Sequence, residues 1–246
     1  MNLFLASNIG GVKKENGKKI PIKFFENNDF LENLKKYIKS NNKFVLVASD
    51  PDNYERNDLF LQMDIEALKL SGLTFKEYLV LDGRAKGNID DILKDSDLIF
   101  LCGGNTLTQN IFFNNVGLKE YLRSINSVIV GISAGSINSA NDVYNSPESE
   151  EDLKNSPYLN GLDLTTINIE PHFILEDSSD NCNKKLQRKE ILKESYSRTI
   201  IALTDRAYIL QTDEDCKLYG ESYKIKDGII SKICDDDEYI VLNENF

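Results

Sequence analysis

Up to Ala140 the chain alternates short, nearly unbroken apolar runs with longer stretches whose apolar positions recur every three or four residues. Leu3–Ser7, Phe44–Ser49, Glu77–Leu81, Leu98–Cys102 and Val128–Ile132 read as strands, and their continuous hydrophobicity suits a sheet covered on both faces. Between them, Phe30–Ser40 and Asp58–Gly72 carry helical spacing. In the second, Leu59, Met63, Ala67 and Leu70 form one stripe, and Gly72 fits just past the helix end. The stretches "NIDDILKDSD" and "LTQNIFFNNVGLKEYLRS" read as two further crossover helices. Strand, helix and strand in repetition predict right-handed βαβ units: an α/β fold with a mainly parallel sheet flanked by helices on both faces. In such sheets active groups collect at the carboxyl ends of strands. That rule singles out the turns after Ser7, Ser49, Cys102 and Ile132.

From Val143 to Leu159 the pattern lapses. "YNSPESEEDLKNSPYLNG" is polar and acidic with two prolines, and reads as a surface loop or short helix inserted before the strand-like "TTINIEPHF". A highly charged helix is expected over Lys184–Tyr196. "TIIALTD", "AYILQT", "KLYGESYKIKDGIISKI" and "EYIVL" follow as strands, the later ones hairpin-like around Lys226–Gly228. With no internal repeat or low-complexity segment, the expectation is one domain over residues 1–246.

Charge removes some classes of function. With 29 Lys and Arg against 40 Asp and Glu, the formal net charge is −11. That disfavours nucleic acid and an anionic membrane surface as partners. An anionic substrate would need a locally positive pocket. Cys102, Cys182, Cys216 and Cys234 lack metal-like spacing with the single histidine, so reduced thiols in a cytoplasmic protein are expected. The N-terminus has no basic region preceding its short apolar run, so it does not read as a signal peptide. No segment approaches the roughly 18 apolar residues of a membrane span.

Gly131-Ile132-Ser133-Ala134-Gly135 fits a G-x-S-x-G elbow, in which a strand turns sharply into a helix and displays a serine hydroxyl. Read from the motif alone, Ser133 is either a nucleophile or a small residue at a strand–helix junction. Cys102-Gly103-Gly104-Asn105-Thr106 ends the preceding strand. Its glycines let the backbone present N–H groups, so Gly103 or Gly104 could join the Ala134 N–H in an oxyanion hole, while Asn105 could cap the next helix. The one histidine, His172, is the only candidate imidazole base for a serine hydrolase. Candidates for an orienting carboxylate are Asp205, Glu176, Asp177, Asp180 and Asp142; placement at a strand end favours Asp205. The order Ser, His, Asp fits α/β-hydrolases poorly.

In order and spacing, "GGNT" (Gly103–Thr106), "GISAGS" (Gly131–Ser136), "NGLDLTTINIEPHF" (Asn160–Phe173) and "TIIALTD" (Thr199–Asp205) resemble the peptidase E (aspartyl dipeptidase) family of serine peptidases. This family is related to cyanophycinase and has a class I glutamine amidotransferase-like fold. The resemblance implies Ser133 as nucleophile, His172 as base, and Gly104 and Ala134, with Gly103, as oxyanion donors. Asn105 and Thr106 would lie among the substrate-binding residues. Where the family has a glutamate in "L-P-E-G", this chain has "L-T-D-R", which places Asp205 third. The family's substrate-binding arginine after the histidine is replaced in register by Lys185, with Arg188 an alternative anchor and Lys184 a further cation. The acidic loop Pro147–Asp152 would be a lid. The expected activity is hydrolysis of small peptides, with Asp-Xaa dipeptides foremost, by a monomer or homodimer that needs no metal or organic cofactor. The alternatives are a cyanophycinase-like or other small-amide hydrolase, and a non-catalytic binding protein of the same fold.

Overall fold

The computed structural model describes residues 1–175 and 181–243. Its first half contains β1 (Asn2–Ala6), β2 (Gly10–Glu15), β3 (Lys18–Phe24), α1 (Phe30–Tyr37), β4 (Lys43–Val47), α2 (Tyr54–Leu70) and β5 (Glu77–Leu81). Then come α3 (Ile89–Leu93), β6 (Leu98–Leu101), α4 (Thr106–Asn115), α5 (Leu118–Ser124), β7 (Val128–Ile132), α6 (Ala134–Ile137) and the β8 (Asp142–Tyr144) and β9 (Tyr158–Asn160) pair. The remainder is β10 (Asn168–Glu170), α7 (Cys182–Glu194), β11 (Ile200–Leu203), β12 (Tyr208–Gln211), β13 (Cys216–Tyr219), β14 (Ser222–Lys226), β15 (Ile229–Cys234) and β16 (Tyr239–Val241).

Eight strands form the central sheet in the order β16-β13-β12-β1-β7-β6-β4-β5. The five strands from β1 to β5 in that order are mutually parallel, and β12, β13 and β16 extend the sheet in antiparallel fashion. Alternation along each parallel strand divides its side chains between two cores. Leu3, Leu5, Val45, Ile99, Leu101 and Ile129 enter one, and Phe4, Leu46, Phe100, Val128 and Val130 enter the other. A second sheet, β10-β11-β14-β15, carries the other chain segments that reach the site.

Three features add to or correct the sequence pattern. First, Gly10–Phe24, for which that pattern predicts no element, forms a β-hairpin. Its Asn16-Gly17 turn has positive φ at both residues, a geometry that this pair adopts readily. Second, the stripe assigned to the second helix does not face a single core. Leu59 and Leu70 are about half exposed, Met63 is half-buried, and Ala67 and Leu68 are buried. The β2–β3 hairpin packs on α2 beside the sheet, so the helix is covered from two directions and a one-face pattern misplaces its core side. Third, the last crossover stretch is two helices, interrupted at Gly117 with φ of 63°.

The carboxyl ends of β1, β6 and β7 meet where α6 begins. A Cβ on Gly131 would lie 2.8 Å from the Ser136 backbone, and one on Gly135 would lie 2.2 Å from the Leu101 carbonyl oxygen. Backbone on backbone cannot yield as a flexible side chain can. Gly135→Ala is therefore expected to destabilise the fold by about 3 kcal/mol, the upper part of the overpacking range. The shift in urea midpoint at constant slope measures this; an unchanged midpoint would mean that α6 can move away from β6.

Candidate active site

Leaving β7, the backbone reverses at Ser133, whose φ and ψ are 52° and −110°. A non-glycine residue at such a φ is strained, and the surroundings hold it there. The Ser133 N–H donates to the Ala6 carbonyl at 2.9 Å, and the Ser136 hydroxyl donates to the same oxygen at 2.8 Å. The four-residue α6 is one turn long, so it offers the unpaired N–H of its first residue, Ala134, rather than the dipole of a long helix.

Opposite Ser133, the loop after β10 carries His172, itself in the left-handed region at φ 56°. Its Nε2 lies 3.1 Å from Ser133 Oγ, and its Nδ1 lies 2.7 Å from Asp205 Oδ1. The interaction with His172, opposed by burial and helped by Asn8 and Ser7, holds the Asp205 carboxyl below the usual aspartate range. Asp205 is then an ionised, acceptor-only carboxylate, so Nδ1 carries the proton and Nε2 presents a lone pair to the serine hydroxyl. The geometry can therefore remove a proton from Ser133.

Gly103 and Gly104 flank this point. A Cβ on Gly104 would fall 2.3 Å from the buried Ser49 hydroxyl, which projects beyond the end of β4. Asn105 caps α4 by accepting from the Thr108 N–H at 2.9 Å, as its spacing predicts. Thr106 is buried, and its carbonyl accepts from Asn138 Nδ2. Burial pushes the neighbouring Cys102 thiol well above its usual value, so it does not compete as a nucleophile.

A small cavity of about 90 Å³ runs from His172 to α7, and Lys184, Lys185 and Arg188 all line it. Arg188 donates to the Leu175 carbonyl at 2.8 Å, with its guanidinium over the Phe173 ring. The cavity wall also holds Glu170, which accepts from Ser146 Oγ at 2.8 Å and Gln187 Nε2 at 3.0 Å. Burial, stronger than the Ser146 bond and the cation Lys184, pushes its carboxyl up to about 7. The acidic loop borders a different cavity of about 290 Å³, formed with Tyr158 and Glu190 and reaching the glycine pair through Asn105; Ser133 and His172 do not line it.

Of the alternative orienting carboxylates, Asp142 lies on β8 paired with Arg198 at 3.2 Å, and Glu176, Asp177 and Asp180 fall outside the described residues. Sequence reasoning passed over Ser7 and Asn8, which bond to Asp205, and the Glu170–Ser146–Gln187 cluster. Ser7 was signalled only by its place at a strand's carboxyl end.

A serine set on an elbow against one imidazole and one carboxylate defines a serine hydrolase type of site. The sequence model of peptidase family S51 matches residues 23–219, and the chain belongs to that family of serine-type peptidases. The chain is similar to a peptidase from an acI-B1 Actinobacterium, with TM-score 0.65, 15% identity, and 98% and 96% of the two chains covered. It is also similar to a putative peptidase E protein from Listeria monocytogenes EGD-e, with TM-score 0.59, 17% identity and 95% and 98% covered. At these identities the likeness is one of fold. No curated protein matches the chain. Among the described residues no helix is long and apolar enough to cross a membrane.

Glu170 gives a pH test. Its raised value means that the folded state favours the protonated acid. Stability is therefore fully present below the ordinary glutamate pKa of about 4.3 and falls as pH rises towards 7. Glu170→Gln, neutral throughout, should gain on the unsubstituted protein by about 3 kcal/mol between pH 4.5 and pH 8, the difference levelling off above the window. Denaturant titrations at pH 4.5 and pH 8 measure the difference; equal gaps at both would contradict it.

Proposed function

We propose that the protein hydrolyses small peptides through an acyl-enzyme on Ser133, with acidic dipeptides of the Asp-Xaa type as preferred substrates. The observation that carries this reading is the single imidazole within reach of both Ser133 Oγ and Asp205 Oδ1. As Ser133 Oγ bonds to the scissile carbonyl carbon, its proton passes to His172 Nε2. Asp205 holds the resulting imidazolium. The carbonyl oxygen, now carrying negative charge, takes bonds from the N–H groups of Gly104 and Ala134, with Gly103 beside them. His172 then gives its proton to the departing amine as the C–N bond breaks. Water, deprotonated by the same imidazole, releases the acyl group from Ser133.

Selectivity follows from charge. In a chain of net charge −11, three cations line one small cavity next to His172, and they supply a local field suited to an acidic side chain. Lys185 and Arg188 are the anchors for it. Arg188 already has its guanidinium oriented by Leu175 and Phe173, and it offers a fork that a lysine does not. Asn105 and Thr106 act at one remove from the substrate, Asn105 by capping α4 and Thr106 from a buried position, both fixing the segment that follows the glycine pair.

A panel of Asp-Xaa, Glu-Xaa and neutral dipeptides tests both parts. Ser133→Ala and His172→Ala should each lower turnover by about 10⁴-fold or more. Hydrolysis that survives either change sinks the mechanism. Arg188→Ala or Lys185→Ala should raise KM for Asp-Xaa about tenfold, some 1.4 kcal/mol, without affecting neutral dipeptides. If neither does so, the anchor is elsewhere.

A further inference from the structure

All three members of the proposed triad are held by the last residue of one central strand and the residue that follows it. Ala6 ends β1, and its carbonyl accepts the Ser133 N–H. Ser7, the next residue, is completely buried. Its hydroxyl accepts from the backbone N–H of His172 at 2.8 Å and donates to Asp205 Oδ1 at 3.2 Å. Its own N–H donates to the Ala207 carbonyl at 3.3 Å, two residues beyond Asp205. The hydroxyl has one proton to give, and the bond from His172 leaves it for the carboxylate.

His172 and Asp205 come from two loops of the second sheet, whereas Ser133 belongs to the first. The imidazole must meet both partners from a backbone held at φ 56°, where a histidine is uncommon. Rigid strand ends hold such geometry better than loops do. Asp205 Oδ1 is the oxygen that takes both the Nδ1 and the Ser7 bonds, while Asn8 Nδ2 stands 3.5 Å from Oδ2. The Ser7 hydroxyl thus ties the base's backbone and the carboxylate's inner oxygen to one fixed point, and that point is bonded through Ala6 to the nucleophile.

We infer that Ser7 is a positioning residue of the active site: its hydroxyl sets the alignment of His172 and Asp205 on Ser133 without touching substrate. This rests on the serine-hydrolase reading above, and the test keeps the two apart.

The reporter is a fluorophosphonate. Ser133 Oγ forms a bond to phosphorus, fluoride leaves, and the hydroxyl proton passes to His172, so labelling reads triad alignment without requiring the natural substrate. Ser7→Cys nearly preserves side-chain volume but replaces the hydroxyl by a weak hydrogen-bonding thiol. Ser7→Thr keeps the hydroxyl. The cysteine variant should show a maximal labelling rate about 10- to 100-fold lower, with the half-saturating probe concentration unchanged, as expected when an outer support of a reactive group is removed. Ser7→Thr should label within about threefold of the unsubstituted protein, the hydroxyl being the whole requirement. Melting temperature is read in parallel. A cysteine variant that melts lower yet labels at the full maximal rate assigns Ser7 a role in folding alone and overturns the proposal. So does a threonine variant that folds but labels as slowly as the cysteine one. Ser133→Ala should not label in any background. If the unsubstituted protein itself takes no label at Ser133, the hydrolase reading falls and Ser7 with it; if it labels and only the Ser7 outcome fails, the hydrolase reading stands.

Discussion

The site depends on backbone passing closer to backbone than any side chain would allow. At Gly135, α6 crosses β6 so tightly that a Cβ would lie 2.2 Å from the Leu101 carbonyl oxygen. At Gly131 the strand leaves room for the returning Ser136 backbone. These absences let β7 turn within one residue, and the turn places Ser133 at a φ of 52° with its N–H on Ala6. Loosening that packing would separate the serine from β1, and hence from the imidazole registered by the same strand end. A stability constraint and a functional one therefore coincide at two glycines.

Electrostatics divides the acids near the site into two kinds. Asp205 is half exposed, receives the imidazole N–H and two neutral side chains, and stays ionised well into acid. Glu170 sits two residues before the histidine, sealed by Ser146 and Gln187, and burial raises its carboxyl towards neutrality. Water and a partner favour charge at the first; dry surroundings disfavour it at the second. The cations of α7 face the same small cavity as Glu170, so the local field there runs against the acidic whole.

Much of this was legible in the sequence for identifiable reasons. Four of the five parallel strands are buried on both faces, the edge strand β5 only partly, and continuous apolar runs such as Val128–Ile132 and Leu98–Leu101 have no other economical reading. The elbow showed because its glycines answer a local steric need, and His172 because it is the single histidine. Other features depend on contacts distant in sequence. Leu59 and Leu70 looked like core because helical spacing says nothing of a hairpin lying on the other side of α2. Ser7 looked like the end of a strand, since its partners lie 165 and 198 residues away. The C-terminal strands read as hairpins, yet their division between two sheets is what brings the loops after β10 and β11 together; local pattern does not encode which sheet a strand joins.

The central claim is that His172 presents a bare Nε2 to Ser133 while Asp205 holds the proton on Nδ1. Because the chain has one histidine, nitrogen-15 labelling of histidine yields a single imidazole whose two nitrogens can be read directly by NMR. For the neutral imidazole the account predicts a protonated Nδ1 with a downfield proton, an unprotonated Nε2, and loss of the downfield proton in Asp205→Ala. A neutral imidazole protonated at Nε2, or one averaging freely between tautomers, would contradict it.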